Sequence, residues 1–306
     1  MNSSNIGNIE DYTLAGEDMA SYDAEYTPEL FEHHLRNLKE HFWYLGRSRF
    51  ILRAFERESA ALWGARRGLH AIDLGGGSGG WVRYLYERHS DRFERLALAD
   101  SSPKVLELAN AVIPPGVERI QIDLNHLPWQ NLWDVVFLFD VLEHIEDDVG
   151  ALQQVYKIMR PGGLLFITLP ALRFFWSMND VVAHHYRRYS RADLERLAQQ
   201  TGLELRTSRY FMFFLSPLFW LSRLRMPDPN RMTLKQIDEY KRKATHQLPP
   251  RPVNDLLKAV FAAETPLGHW LPFPWGTSVL GVFRKPLQTS RTPPKIRRFE
   301  IRTRFR

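Results

Sequence analysis

The order of apolar and amphipathic segments constrains the fold of this 306-residue chain more than any other feature. From residue 69 onward, short apolar runs alternate with segments of helix length. The runs are LHAIDL (69–74), RLALAD (95–100), RIQID (119–123), WDVVFLFD (133–140) and GLLFITLP (163–170). Buried parallel strands have such near-continuous apolar sequences, and helices usually connect them. The pattern therefore predicts an α/β fold in which helices cover both faces of a parallel sheet.

Further elements are predicted on either side of these runs. Residues 29–63 carry apolar side chains at three- and four-residue spacing, which predicts a helix. Residues 203–213 and 277–286 are predicted to be strands, and the stretch 217–275 between them is rich in proline and charge. We therefore expect five parallel strands followed by a split pair, with an insertion that projects from one end of the sheet.

Charge is distributed unevenly along the chain. Residues 1–32 contain eight acidic residues and no Lys or Arg, whereas residues 291–306 contain seven basic residues and one Glu. The predicted parts are a flexible acidic arm (1–28), a folded domain (29–215 with 276–286), an insertion acting as a substrate cap or facing a membrane (216–275) and a basic tail (287–306). A basic tail can bind RNA or an anionic membrane, although a solubilising or disordered end is the commoner case.

Composition excludes several classes of chemistry. The chain has no cysteine, which excludes disulfides, Cys-ligated zinc, iron–sulfur clusters and thiol nucleophiles. No apolar run approaches the roughly 20 residues that span a bilayer. The longest such run, YFMFFLSPLFWL (210–221), is interrupted by Ser216 and Pro217. These observations predict a cytoplasmic protein.

The stretch AIDLGGGSGGW (71–81) predicts a nucleotide cofactor. A glycine turn follows a strand and precedes a helix, whose N-terminus presents free N–H groups. Gly75, Gly77 and Gly80 match G-x-G-x-x-G, with Asp100 twenty residues further on, as a nicotinamide cofactor would require. The alternative reading is D-x-G-x-G-x-G, with Asp73 two residues before the first glycine. A carboxylate there would repel a pyrophosphate but can receive a cationic amino acid, so the second reading is favoured.

Asp73 through Gly79 resembles motif I of the class I S-adenosylmethionine (SAM)-dependent methyltransferases. The resemblance continues through LALADSSPKVLELA, QIDLNHLPW, WDVVFLFDVLEHIED and RPGGLLFITLP, and covers about residues 40–215 and the last strand. It implies a Rossmann-like, doubly wound, mostly parallel seven-stranded sheet with an antiparallel last strand and a helical or irregular insertion before that strand. It also implies SAM as the cofactor.

The resemblance assigns the cofactor contacts residue by residue. Asp73 and the turn glycines would hold the methionine half, Asp100 the ribose hydroxyls and Asp123 the adenine amino group, with Leu124 beside the ring. Asp140 lies at the carboxyl end of a strand, where it would contact the methionine half or the substrate. The predicted cofactor residues are Asp73, Gly75, Gly77, Gly79, Asp100, Asp123, Leu124 and Asp140. His144 is expected to cap or pack the turn after the fourth of these strands.

The stretch AHHYRRYS (183–190) resembles one bacterial branch of these enzymes, the small-molecule type 11/12 kind. That branch shows a Trp, an Asp and H-x-R-R-Y-[ST] after the fifth strand, and L-P-F-x-x-[ST] near the last strand. The matching residues are Trp176, Asp180, His185, Arg187, Arg188, Tyr189, Ser190 and the stretch LPFPWGTS (271–278). His185 is the predicted base, and Asp180 is the second predicted catalytic residue. Trp176, Arg188, Tyr189 and Tyr210 are predicted to face the substrate, with Arg188 and Tyr189 also anchoring the loop.

The absence of certain motifs excludes several classes of methyl acceptor. The residues FDVLEH stand where amino-methylating DNA enzymes carry D-P-P-Y or N-P-P-Y, and no convincing set of carboxylates for Mg²⁺ is present. The aromatic stretch 170–221 and the segment SPLFWLSRLR are typical of the wall of an apolar pocket or of a surface that lies on a membrane. We therefore predict methyl transfer, without a metal, to O or N of a small, partly apolar natural product, glycan or lipid-like molecule.

Two other functions stay open from the sequence. One is a membrane-associated SAM-binding scaffold protein that contacts the inner face of the membrane through residues 210–225 and the basic tail. The other is an RNA-directed methyltransferase that uses the tail, although a nucleic-acid partner is not the favoured expectation. The sequence leaves the oligomeric state open.

Overall fold

The computed structural model describes residues 9–13, 35–223, 226, 232–233, 240 and 248–287. One sheet contains β1 (Glu10–Asp11), β2 (Leu69–Leu74), β3 (Phe93–Asp100), β4 (Glu118–Gln121), β5 (Trp133–Phe139), β6 (Met159–Pro170), β7 (Glu204–Phe211) and β8 (Ser278–Arg284). The helices around it include α1 (Phe42–Trp63), α2 (Gly80–His89), α3 (Pro103–Leu108), α4 (Asp148–Ile158), α5 (Met178–Val182), α6 (Arg191–Thr201), α7 (Ser216–Arg223) and α8 (Arg251–Trp270).

The strand order is β1-β4-β3-β2-β5-β6-β8-β7. Strand β8 is antiparallel to both neighbours, and the other pairs are parallel. The predicted Rossmann-like fold with an antiparallel last strand is therefore confirmed. The chain runs outward from β2 to β4 and returns to β5 on the other side of β2, which places a topological switch point at the carboxyl ends of β2 and β5.

Alternate residues of the central strands fill two cores, one on each face of the sheet. Val136 of β5 packs with Leu152 of α4 on one face. Val135 and Phe137 belong to the opposite core, where the Phe137 ring lies 6.0 Å from the ring of Phe55 in α1. Burial on both faces explains why these strands have continuous apolar sequences.

The sheet has one strand more than the seven predicted. Glu10 and Asp11 of β1 pair with Ile120 and Gln121 of β4, inside the segment expected to be a flexible arm. This strand has only two residues and no apolar alternation, so the pattern of the sequence contains no signal for it. Residues 1–8 and 14–28 of the arm and residues 288–306 of the basic tail lie outside the described residues.

Helix α8 lies in the predicted insertion and packs against α1. The Phe261 ring fills the space that a side chain at Gly46 would need, and His269 Nε2 lies 2.9 Å from the Phe50 carbonyl. Asn254 accepts a hydrogen bond from the Phe42 amide at 3.0 Å. These contacts join this part of the insertion to the core of the domain. None of the helices within the described ranges has the length and apolar character needed to cross a membrane.

Candidate active site

The carboxyl edge of the parallel strands collects the acidic residues singled out in the sequence. Asp73 lies near the end of β2, Asp100 ends β3, Asp123 follows β4 and Asp140 follows β5. Parallel neighbours present their carboxyl ends at the same edge. The structure therefore places these four residues along one side of the sheet, on both sides of the switch point.

Asp73 is a buried carboxyl group without a full set of partners. Its side chain is 1% exposed, and its Oδ1 atom has no hydrogen-bond partner. Burial raises the pKa of Asp73 to about 8, although the nearby Arg47 guanidinium acts in the opposite direction. Since buried polar atoms are normally paired, this oxygen fits a cationic group of a bound ligand.

The glycine turn leaves open space beside Asp100. Gly77 has a φ of +56°, and a side chain there would meet no atom within 4 Å. The Gly77 amide donates to Asp100 Oδ2 at 2.9 Å, and the Ser102 amide donates to Asp100 Oδ1 at 3.0 Å. Burial raises the pKa of Asp100 despite these bonds. Gly75 and Gly79 also have positive φ, and Gly79 is the N-cap of α2.

Asp123 and Leu124 continue this edge beyond β3. The Asp123 side chain is half-buried and accepts from the backbone amide of Asn125 at 2.9 Å. Leu124 is buried and belongs to the core of the face that also contains α4. Asp123 therefore lies at the edge with a fixed side chain, and Leu124 contributes mainly packing.

An arginine of α1, Arg47, enters the site, although no sequence pattern pointed to it. Arg47 Nη2 lies 2.6 Å from Asp140 Oδ2 and 3.1 Å from Thr168 Oγ1. Asp140 itself has a φ of +54°, which is uncommon for a residue other than glycine. The Arg47 ion pair therefore holds a predicted ligand-binding carboxylate against the sheet.

The N-terminal turns of α1 also provide aromatic side chains. The Arg47 guanidinium carbon lies 5.1 Å from the Trp43 ring and 5.2 Å from the Phe139 ring. Burial raises the pKa of Tyr44 to about 12, although the charge of Arg47 lowers it. The Tyr44 hydroxyl is therefore neutral at physiological pH.

Asp180 is the centre of a buried network in the loop after β6. It is 0% exposed and forms a capping box with Ser177 at the start of α5. Arg188 Nε lies 2.6 Å from Asp180 Oδ1, Arg188 Nη2 lies 3.0 Å from Oδ2, and His185 Nδ1 lies 3.0 Å from Oδ1. Burial alone would raise the pKa of Asp180, but the bonds from His185 and Arg188 outweigh it and lower the pKa to about 2. The carboxylate is therefore ionised.

The bond to Asp180 fixes the orientation of the His185 ring. An ionised carboxylate only accepts hydrogen bonds, so Nδ1 carries the hydrogen and Nε2 keeps its lone pair in the neutral ring. Nε2 lies 4.0 Å from Glu143 Oε1, and the His185 ring centroid lies 4.7 Å from that of His144. The structure thus brings together three residues of the turn after β5 and the loop after β6.

Glu143 is the second residue that sequence reasoning missed. It is 1% exposed, and its Oε2 atom has no hydrogen-bond partner. Burial, together with the charge of Asp140, raises the pKa of Glu143 well above its ordinary value. The only signal in the sequence was its position in FDVLEH at the end of a predicted strand.

Most residues predicted to face the substrate are fixed by the protein itself. Arg188 is committed to Asp180 and to the Ala171 carbonyl at 3.1 Å. Tyr189 is buried, with its hydroxyl 3.2 Å from Asp148 Oδ2, and the Tyr210 hydroxyl accepts from the Arg191 amide at 3.1 Å. Arg188 and Tyr189 therefore hold the loop in place through contacts within the protein. Of this group, Trp176 alone is exposed.

The fold and this site define the class of the protein. The sheet has its switch point at β2 and β5. Its carboxyl edge presents the unpartnered buried carboxyl of Asp73, an open glycine turn and the strand-end Asp100. This combination is that of a class I SAM-dependent methyltransferase.

Comparison with known proteins gives the family. A family model described as a methyltransferase domain matches residues 35–208. The match covers more than half of the chain, which therefore belongs to this family of class I SAM-dependent methyltransferases, with SAM as its cofactor. The resemblance found in the sequence is confirmed.

The chain is also similar to curated relatives. It is 28% identical over 146 residues to the ubiquinone/menaquinone biosynthesis C-methyltransferase UbiE of Haemophilus ducreyi, covering 46% of this chain and 54% of that protein. It is 27% identical over 166 residues to UbiE of Enterobacter sp. (strain 638), covering 52% and 64%. The chain thus spans less than two thirds of the length of these relatives.

Solved structures show more distant likeness. One is a SAM-dependent methyltransferase from Mesorhizobium loti, with 17% identity, a TM-score of 0.47, and coverage of 74% of this chain and 96% of that chain. Another is phosphoethanolamine N-methyltransferase 2 of Haemonchus contortus in complex with SAM, with 19% identity, a TM-score of 0.47, and coverage of 74% and 51%. Both likenesses are too distant to add to the assignment.

Proposed function

We propose that this chain transfers the methyl group of SAM to an oxygen or nitrogen atom of a small, partly apolar molecule, and that His185 accepts the proton of the acceptor. The observation that carries this proposal is the Asp180–His185 pair, whose 3.0 Å contact leaves the Nε2 lone pair of His185 available. This pair belongs to the loop that follows β6 at the carboxyl edge of the sheet.

The cofactor would be held by the acidic residues of this edge. SAM supplies a methyl group on a sulfonium with a good leaving group, so the protein mainly needs to position the acceptor and remove its proton. The unpartnered carboxyl of Asp73 would receive the ammonium group, and Asp100 would receive the ribose hydroxyls beside the open face of Gly77. Asp123 would accept from the adenine amino group.

Asp180 supports His185 in two ways. It selects the tautomer that keeps Nε2 free, and its negative charge stabilises the imidazolium that forms when Nε2 accepts a proton. Arg188 holds Asp180 through two contacts of 2.6 and 3.0 Å, so the carboxylate stays in place through the reaction. Asp180 is therefore a positioning residue, and His185 is the group that touches the acceptor.

Exposed apolar side chains support an acceptor that is partly apolar. The rings of Phe174 and Trp220 stack with centroids 6.2 Å apart, and Leu218 and Leu221 are also exposed on α7. Large exposed apolar patches commonly mark binding surfaces. The same surface would give a peripheral membrane contact through the exposed side chains of residues 214–221, inside the predicted segment 210–225. That location would bring the enzyme to a lipid-like acceptor.

A carbon acceptor is the second candidate. The similar UbiE proteins from Haemophilus ducreyi and Enterobacter are C-methyltransferases by name. Methylation of an acidic carbon also needs a base, so His185 would keep its role. The two candidates differ only in the atom that receives the methyl group.

The test uses SAM labelled with ¹³C in its methyl group and a small-molecule extract of the organism that encodes the chain. We expect a labelled product below the size of a peptide or RNA, and its methyl carbon shift in NMR will distinguish O-, N- and C-methylation. A matched incubation with the Asp100→Ala variant controls for label introduced by contaminating enzymes. Label found only in macromolecular RNA would overturn the proposal in favour of an RNA-directed enzyme.

A further inference from the structure

Three side chains that can ligate a metal converge next to the Asp180–His185 pair. Glu143, His144 and His185 can each present one ligand atom, and these atoms all lie within 4.8 Å of one another. Two of the residues are neighbours in the turn after β5, and the third comes from the loop after β6. Chain folding alone brings them together, so the cluster was not visible in the sequence.

Glu143 provides the observation that points to a ligand. Its Oε1 atom lies 4.0 Å from His185 Nε2, and its Oε2 atom has no hydrogen-bond partner although the residue is 1% exposed. Buried carboxylate oxygens are normally satisfied by a donor or a cation. A cation bound by the Glu143 carboxylate would compensate this buried group.

The surroundings of His185 match those of a metal-bound imidazole. Metal-ligating histidines usually donate their second ring N–H to a carboxylate, which fixes the tautomer and the ring orientation. His185 Nδ1 makes this contact with Asp180 at 3.0 Å, and Asp180 is itself held by Arg188. The Nε2 lone pair consequently points to the side where Glu143 lies.

We infer that Glu143, His144 and His185 form a three-ligand site for a divalent transition-metal ion of the zinc type. Two imidazoles and one carboxylate suit Zn²⁺ better than Mg²⁺ or Ca²⁺, which prefer oxygen ligands. Ligand atoms in a tetrahedral zinc site are about 3.3 Å apart. Binding therefore draws Glu143 Oε1 and His185 Nε2, now 4.0 Å apart, together by about 0.7 Å, and the other pairs, which lie within 4.8 Å, by up to about 1.5 Å. A fourth coordination position stays open in a three-ligand site.

Occupation of this site has a consequence for catalysis, which rests on the function proposed above. A metal ion at His185 Nε2 takes the lone pair that the base needs. Zn²⁺ therefore inhibits methyl transfer, and a chelator restores it. The site is thus a metal-dependent off-switch for the same histidine.

The binding test uses the full chain without a histidine tag and without SAM or acceptor. Zn²⁺ affinity is measured by competition with a chromophoric chelator, and Co²⁺ substitution is followed by its visible absorption. We expect one ion per chain, and at least tenfold weaker binding in both Glu143→Gln and His144→Ala. His89→Ala is the matched control, since His89 faces Glu56 at 3.0 Å elsewhere in the fold and its loss leaves the affinity unchanged.

Absence of a bound ion in the wild-type chain would overturn the inference, and so would equal affinities in the wild type and both ligand variants. Melting curves establish that each variant folds, and His144→Ala decides the outcome if Glu143→Gln does not fold. The two proposals fail separately. If Zn²⁺ binds but methyl transfer continues unchanged, the metal site stands and the role of His185 as base is lost. If transfer depends on His185 but no Zn²⁺ binds, only the metal site is lost.

Discussion

Substitution of Gly77 by alanine tests the cofactor site with little disturbance of the fold. Gly77 has a φ of +56°, and an added Cβ would meet no protein atom within 4 Å. The cost to folding is therefore backbone strain alone, about 1 kcal/mol for a left-handed residue. That cost corresponds to a melting temperature lowered by about 2–4 °C in a domain of this size. The added methyl group, however, enters the open space beside Asp100 where the ribose would lie.

Gly202→Ala is the matched control for this experiment. Gly202 has a φ of +77° as the C-cap of α6, and an added Cβ would be 4.0 Å from Tyr156, an ordinary contact. Gly202 precedes the amino end of β7, and β7 runs parallel to β6 because β8 between them is antiparallel to both. Gly202 therefore lies at the amino edge of the parallel strands, opposite the carboxyl edge that holds the candidate active site. Both variants should lose similar stability, but only Gly77→Ala should bind SAM at least tenfold more weakly, about 1.4 kcal/mol. Stability is measured by urea unfolding and affinity by calorimetry. Equal SAM affinities in the two variants would refute the placement of the cofactor at this turn.

Three further predictions concern the charged residues of the site. Asp73, with its pKa raised to about 8, is mostly protonated near pH 7 and should release a proton when the SAM ammonium group binds. Calorimetry in buffers of different ionisation enthalpy should show proton release on SAM binding near pH 7 and little release near pH 9. The Asp73→Asn variant should show no release at either pH. A binding heat that does not depend on the buffer in the wild type at pH 7 would contradict this prediction. Asp100→Ala should weaken SAM binding at least tenfold, since hydrogen bonds to a charged group contribute about 1.5–3 kcal/mol, and an unchanged calorimetric affinity would show that the ribose binds elsewhere. Arg188→Ala should lower the free energy of unfolding by about 3 kcal/mol or more, because it leaves Asp180 buried without its arginine partner, whereas Arg83→Ala at the exposed pair with Glu87 should change it by less than about 1 kcal/mol. Equal losses of unfolding free energy in these two variants, measured by chemical denaturation, would show that the Asp180–Arg188 pair stabilises the fold no more than an exposed pair does.

The fold could be predicted where local signals are strong. The run LHAIDL coincides with β2, because glycines bound it and both of its faces are buried. Ser190, Asp193 and Gly202 marked both ends of α6, since capping is a local interaction. Strand β1 could not be predicted, because it depends on pairing with β4 and carries no periodic pattern of its own.

The site was predicted only in part, and for a physical reason. Strand-end residues such as Asp73 and Asp100 are placed by the parallel topology, so the order of elements is enough to bring them together. Arg47 and Glu143 act through contacts with residues distant in sequence or through burial, and no local pattern encodes either property. Tyr210 is an aromatic residue of the kind that lines substrate pockets, and it was predicted to face the substrate. It lies in the core instead, because this is decided by which face of β7 it occupies.

The measurement that tests the account most directly compares two adjacent histidines. His185 bonds to Asp180, whereas His184 is exposed with a φ of +55° and has no predicted part in the reaction. With the acceptor identified, kcat is measured across pH 6–9 for His185→Ala and His184→Ala. We expect His185→Ala to lower kcat by about 10²- to 10⁴-fold with less than about a threefold change in SAM affinity, and His184→Ala to have a smaller effect. Wild-type rates in both variants would show that the loop is structural and that another group or water accepts the proton.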